Sequence, residues 1–172
     1  MGNRLDSKLG QQTFTTSDEL PQDALGLYAF RQVINPGKLM LMARFCGVLK
    51  SNEYIDDGHV TAVFSKKQPV DTAVADPALV TAHASHWESW VNVEGKAFTV
   101  LRVASTYLEM RYKYFMDAGC ISDHPVYQPH VTVLSGTSVN SAQLRVANHA
   151  LSLLGDRDIR LSGELFNELV AR

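Results

Sequence analysis

Apolar residues recur along this chain at two spacings, and the switches between them mark its elements. From Leu25 the run LGLYAFRQV predicts a strand that carries Tyr28. Asn35-Pro36 supplies a cap and a first-turn proline. Leu39, Met42, Phe45 and Leu49 then repeat at helical spacing, so residues 37–50 are predicted helix. After the polar loop SNEYIDDG, the run HVTAVFS reads as a strand, and KKQPVDTAVADP as irregular chain. HWESWVNV and KAFTVLRV flank Glu94-Gly95 as the arms of a hairpin. Thr106 and Glu109 have capping-box spacing, Leu108, Tyr112 and Phe115 form a helical stripe, and Gly119 stops it. HPVYQPHVTVLSG holds another strand. Ser141 to Leu154 is a third helix, with Leu144, Ala147, Leu151 and Leu154 on one face and Gly155 at its end. DIRLSGELF is predicted as the closing strand.

This order is α+β. It predicts two similar strand-rich lobes, two antiparallel sheets facing a central cleft with helices packed outside, and each half contains one His-Val-Thr. Residues 1–24 are polar and rich in Ser, Thr, Asp and Gln, and read as a flexible or extended arm. Residues 25–172 read as a single two-lobed domain.

Composition narrows the partners. A chain of 172 residues fits one domain with a sizeable core, and its net charge is -2. Long nucleic acid is usually held by a basic surface, so this balance disfavours it. Small anionic ligands need only a few donors in a pocket. Cys46 and Cys120 lie far apart, match no metal or redox spacing, and read as reduced core residues. There is no charged-then-apolar leader and no run of 18 apolar residues, so no membrane partner is expected, and the expected setting is a reducing cytoplasm. Oligomeric state stays open.

The candidate chemistry lies in the repeated tripeptide. On a strand, residues two apart share a face. His59 and Thr61 therefore point one way, with Val60, Ala62 and Phe64 expected to point to the core. His130 and Thr132 do the same above Val131 and Val133. Two such strands facing each other would give a pocket two imidazoles and two hydroxyls, a set suited to a phosphodiester. One neutral His takes a proton from the nucleophile, one protonated His gives a proton to the leaving oxygen, and the threonines donate to the nonbridging oxygens. No metal or other cofactor is required. Composition alone yields roughly a third of one His-x-Thr triplet by chance, so a single match is weak and a matched pair on two predicted strands is much stronger.

Paired H-x-T motifs on strands of a bilobal domain resemble the two-histidine (2H) phosphoesterase superfamily. The surrounding words resemble one branch of it, the phage anti-CBASS protein 1 family, nucleases that degrade the cyclic oligonucleotide signals of bacterial antiviral defence. The resemblance runs from about Gly26 to Leu169 and is carried by GLYAF, HVTAVFSKK, WVNVEGKAFTVLRV, LEMRYKYFMDAGCISDHPVYQPHVTVLS and IRLSGELF. The loop Asp56-Asp57-Gly58 and the segment from Gln68 to His86 depart from it.

The resemblance implies that His59, Thr61, His130 and Thr132 form a catalytic tetrad. It implies that Glu164, in SGELF, belongs to the active site, where it orients a histidine or contacts nucleotide. Strand alternation, with Arg160, Ser162 and Glu164 on one face, agrees with that placement. It also implies that Trp90 stacks a base and that Tyr28 closes over ligand. The bland alternatives are a solvated strand-end carboxylate, a core tryptophan and a buried strand tyrosine.

The implied activity is metal-independent cleavage of 3′–5′ linkages in cyclic di- or trinucleotides by 2′-hydroxyl attack, in the cytoplasm of a phage-infected bacterium, allowing the phage to evade CBASS. Rival readings are a two-histidine enzyme of RNA ends, acting on 2′,3′-cyclic phosphates or 2′–5′ linkages, a nucleotide-sequestering binding protein, and a metal site using His59, His130, Asp56 or Asp57. Which histidine is the base, the preferred bases and ring size, and the final product are left open by the sequence.

Overall fold

The computed structural model describes residues 26–55, 57–66, 73–122, 124 and 126–169. The arm expected over residues 1–24 lies outside these, as does Asp56. The elements are β1 (Leu27–Gln32), α1 (Pro36–Phe45), β2 (His59–Ser65), β3 (Val80–Val91), β4 (Ala97–Ala104), α2 (Thr106–Asp117), β5 (His130–Ser135), α3 (Ser141–Ser152), β6 (Asp158–Leu161) and β7 (Leu165–Glu168). The α+β class and the element order follow the expectation, with the closing strand split in two.

The two expected sheets are one. All seven strands join in the order β6-β3-β4-β5-β2-β1-β7, and every pairing is antiparallel. The halves meet where β2 pairs with β5, at Val60 opposite Val131. At the far side, Leu161 of β6 bridges Val33 just past β1, and Ser162 N–H donates to Gln32 O at 2.8 Å. These contacts bring an edge strand back towards the opposite end, so the sheet curls.

Each motif strand carries an extra residue immediately after its threonine. Along the β1–β2 pair, Ala29 faces Val63 and Phe30 faces Thr61, which leaves Ala62 as the bulge. Along β4–β5, Thr99 faces Leu134 and Val100 faces Thr132, which leaves Val133 as the bulge. A bulge breaks strict alternation. This corrects the expected direction of Phe64: Ala62 and Val63 are both buried, and Phe64 is 44% exposed.

Two apolar clusters hold the sheet. Val60, Val131, Val133, Trp87, Leu101, Leu39, Met42, Ala147 and Leu151 share one with α1 and α3. Ala62, Val63, Leu27, Phe115 and Phe166 share the other with α2. Cys46 and Cys120 are free and buried, one in each cluster. Helix ends follow local chemistry. α1 stops at Phe45, earlier than the apolar spacing predicts, because Gly47 takes a left-handed φ of 72°. The cap of α2 is Ser105 in place of Thr106, its hydroxyl accepting from Leu108 N–H. Asn140 and Gln143 form a capping box at α3.

The closing segment breaks at Ser162-Gly163-Glu164. β6 pairs with β3, while β7 pairs with β1. A Cβ on Gly163 would lie 2.9 Å from Pro77 O, so the bend admits only glycine without movement. The bend carries Glu164 into the interior, where it is fully buried. Arg111 Nε donates to Glu164 Oε1 at 2.9 Å and Nη2 to Oε2 at 2.7 Å. Asp76 N–H donates to Oε2 at 2.9 Å. The Arg31 guanidinium, also fully buried, lies 3.3 Å from Oε1 and donates through Nη1 to Ala78 O and Ser162 O. One carboxylate thus ties β1, α2, the 73–79 segment and the β6–β7 bend together.

A buried charge left without its partner typically costs about 3–5 kcal/mol. Glu164→Gln is therefore expected to lower unfolding stability by about 3 kcal/mol or more. Urea denaturation checks this, and a midpoint equal to the parent's would show that the arginines find compensation elsewhere.

Candidate active site

The antiparallel register at Val60 and Val131 places the two motifs side by side in opposite directions. One residue further in each direction, His59 stands beside Thr132 and Thr61 beside His130. Both valines are completely buried, while the histidines and threonines are half-buried on the other face. On the next strands, Arg102 and Val100 pair with His130 and Thr132, and Gln32 and Phe30 pair with His59 and Thr61. The structure thus brings the four residues of the two motifs together.

Each imidazole is oriented from two residues upstream. His130 Nδ1 lies 2.7 Å from Gln128 O. A carbonyl accepts only, so Nδ1 carries the hydrogen and Nε2 holds a lone pair. His59 Nδ1 lies 3.1 Å from Asp57 Oδ2, an ion-pair distance whose angle is off the line of a hydrogen bond. On its other side, the Tyr28 hydroxyl lies 2.7 Å from His59 Nε2 and 3.4 Å from Thr61 Oγ1. Burial pushes the Tyr28 phenol up from its ordinary value, so it stays protonated.

His130 titrates below the ordinary histidine value. Burial is the largest cause, since it disfavours the imidazolium, and the electrostatic influence of Arg102, His59 and His124 adds to it. The bond to Gln128 O works the other way without overcoming them.

A cavity of about 580 Å3 opens beside this group, lined by Thr61, His130, Thr132, Trp90, Tyr112 and Tyr127 among others. That volume falls in the ordinary range for small-molecule sites. The Trp90 ring stands 4.4 Å from the His130 ring at 66°. Trp87, its near neighbour in sequence, is 1% exposed and belongs to the core. The Tyr112 and Tyr127 rings stack at 4.6 Å, and the Tyr127 hydroxyl donates to Thr61 O at 2.9 Å, pinning the first motif strand from below.

Tyr28 and Trp90 therefore join the two motifs, one at each histidine. Glu164 does not line the cavity, and neither do His59 and Tyr28, which adjoin it through Thr61. Among the described residues the polar partners of Glu164 are Arg31, Arg111 and the Asp76 N–H, and neither motif histidine is among them. The alternation that put it on the face of Arg160 fails because the strand ends at Leu161. Sequence reasoning gave Asp57 only a metal-ligand role and gave none to Gln128, Tyr127, Arg102 or Glu88. The signal for the first two was available: DGHVT and QPHVT each place a polar residue two positions before the histidine. Among the described residues, no group of three or more His, Cys, Asp or Glu is placed to hold a metal ion, and no helix is long and apolar enough to cross a membrane.

Residues 25–170, which contain both motifs and every residue of this site, match the family described as anti-CBASS protein Acb1. The chain belongs to the Acb1 family. No curated protein matches it. Membership implies a part in evading CBASS, a bacterial antiviral immune system. The Acb1 match also begins two residues before β1 and ends two residues past β7, so the whole curled sheet falls within it.

In this Acb1-family chain, the His130 imidazole is expected to hold its neutral form to a pH below 6.5, gaining a proton only as the pH falls further. Titration of the ring protons by NMR, with the resonance assigned from a His130→Gln variant, checks this. A midpoint at or above 6.5 would mean that burial does not govern the ring.

Proposed function

We propose that this protein is a metal-independent phosphodiesterase that opens 3′–5′ linkages of cyclic di- or trinucleotides and so removes the signal on which CBASS depends. The observation that carries the reading is the antiparallel register at Val60 and Val131, which sets two His-x-Thr pairs around one surface with unlike imidazoles. The reading includes the fold: strands β6-β3-β4-β5 and β2-β1-β7 are the two lobes of a two-histidine phosphoesterase, joined through that pair on the motif side and through the Leu161–Val33 bridge on the other.

The chemistry starts with the ribose 2′-hydroxyl beside the scissile linkage. It is already held near phosphorus by the substrate, so the protein needs to supply little of the approach. His130 is the base: its neutral form is favoured, and its Nε2 lone pair is free to take the 2′ proton while Nδ1–H stays on Gln128 O. The 2′ oxygen bonds to phosphorus as the bond from phosphorus to the 5′ oxygen breaks. His59, with the Asp57 carboxylate beside its ring, gives the departing 5′ oxygen its proton. Thr61 and Thr132 donate to the nonbridging oxygens, where negative charge grows. The product is a linear oligonucleotide with a 2′,3′-cyclic phosphate and a free 5′-hydroxyl. Water activated by the same pair with roles reversed can open that ring to a monophosphate.

Trp90 offers a face for a base in the cavity, a contact that tolerates different bases. Tyr28 closes the His59 side. Glu164 enters as an anchor: through Arg31 it holds β1, the strand from which Tyr28 reaches His59. The setting in this proposal is the cytoplasm of a phage-infected bacterium.

Purified protein incubated with cyclic di- and trinucleotides in excess EDTA is expected to give linear products. Loss of cleavage that added metal restores would contradict the mechanism, and recovery of intact ligand would point to sequestration. A substrate with 2′-deoxyribose at the scissile linkage is expected to bind and survive. His59→Ala and His130→Ala are each expected to cost at least about a hundredfold in kcat, in line with general acid–base contributions.

A further inference from the structure

Glu88 lies outside both motifs, two residues before Trp90 on β3. Its carboxylate is fully engaged. Oε2 accepts from Trp90 Nε1 at 2.7 Å and from Arg102 Nη1 at 3.1 Å, and Oε1 lies 2.9 Å from His86 Nε2. The sheet register aligns this group with the site: His86 pairs with Arg102, and Arg102 pairs with His130, a row across three strands. Arg102 also reaches Gln128 Oε1 at 3.3 Å, on the residue whose backbone carbonyl holds His130 Nδ1. Its guanidinium carbon stands 5.9 Å from the Trp90 ring centre.

We propose that Glu88 is a positioning residue for the half of the site around His130: it fixes the angle of the Trp90 ring against that imidazole and holds and partly neutralises the Arg102 charge beside it. The inference rests on the reading of His130 as the base and Trp90 as the base-stacking surface. A carboxylate serving stability alone would have no reason to join the cavity's tryptophan to the arginine paired with the second motif. The charged and titratable groups acting on His130 are His59 from β2, Arg102 from β4 and His124 from the preceding loop, and Glu88 on β3, paired with His86, acts on it through Arg102. Hydrogen bonds from His86, Trp90 and Arg102 outweigh the opposing effect of burial and hold the Glu88 carboxyl below its usual range, so it is ionised wherever His130 titrates.

Two variants separate the two functions. Glu88→Gln keeps an acceptor for Trp90 but removes the charge that offsets Arg102. The His130 midpoint is then expected to fall by roughly half a pH unit, the size of a partly screened charge interaction. Arg102→Gln is expected to move it the opposite way, and the double variant to return it towards the parent. Glu88→Ala frees the ring as well and is expected to raise KM by roughly tenfold, within the range of one lost stacking contact. The acid limb of kcat/KM should follow the His130 midpoint in each variant.

The ring titration is read by NMR without substrate, so it tests Glu88 even if the protein cleaves no cyclic nucleotide, an outcome that would defeat the proposed function alone. A His130 midpoint unmoved in Glu88→Gln overturns the proposal. So does a Glu88→Ala variant that loses kcat and thermal stability together while KM and the pH profile stay put.

Discussion

The site depends on one pairing, Val60 opposite Val131. Antiparallel neighbours are related by a local two-fold axis, and here the axis passes between two buried valines flanked by identical residue types. His59 and His130 are thereby brought together from distant parts of the chain without any loop having to place them. The pairing is narrow, so the faces of the sheet must hold it. Val60, Val131 and Val133 pack into one cluster, while Ala62 and Val63 pack into the other. The bulges make this possible, because each lets consecutive residues turn inward on either side of a strand that must keep His and Thr outward.

The backbone is nearly symmetric at this point and the chemistry is not. Both Nδ1 atoms face a residue two positions upstream, but one meets the Asp57 carboxylate and the other the Gln128 carbonyl. A phenol stands at His59 Nε2, and the edge of an indole lies against the His130 ring. Acid–base catalysis of the proposed kind needs two groups in opposite protonation states. A duplicated strand can supply the positions of both, and only their unlike surroundings can divide the work.

Much of this was legible in the sequence, for physical reasons that also explain the rest. Period and punctuation mark the elements, so nine of the segments appear in order, and the His-x-Thr pairs announce themselves through alternation. What alternation cannot show is where it stops. It continued through Ala62 to Phe64 and through Ser162 to Glu164, and in both places the chain adds or breaks a step. The exposure of Phe64 and the burial of Glu164 follow from those two interruptions. The split between β6 and β7 was hidden because IRLSGELF reads as one strand, although Gly163 marks the close approach to Pro77. Two sheets were expected where there is one, since no local pattern reports which strands pair across a distance. Trp87 and Trp90 were hard to tell apart for the same reason: both sit in one apolar hairpin arm, and only the pairing shows which is core and which lines the cavity.

The extra residues at Ala62 and Val133 have a consequence for how this protein can vary. Each motif strand has a phase, inward or outward, that is reset directly behind the threonine. Exchanging one small apolar residue for another there leaves the phase alone. Losing the extra residue would return the strand to plain alternation behind Thr61, with Val63 still opposite Ala29 and facing inward and Phe64 still opposite Tyr28 and facing outward. Each bulge is thus a residue of slack: the chain should accept the loss of one residue behind the threonine more readily than the gain of one, because only the loss leaves every later side chain on its present face.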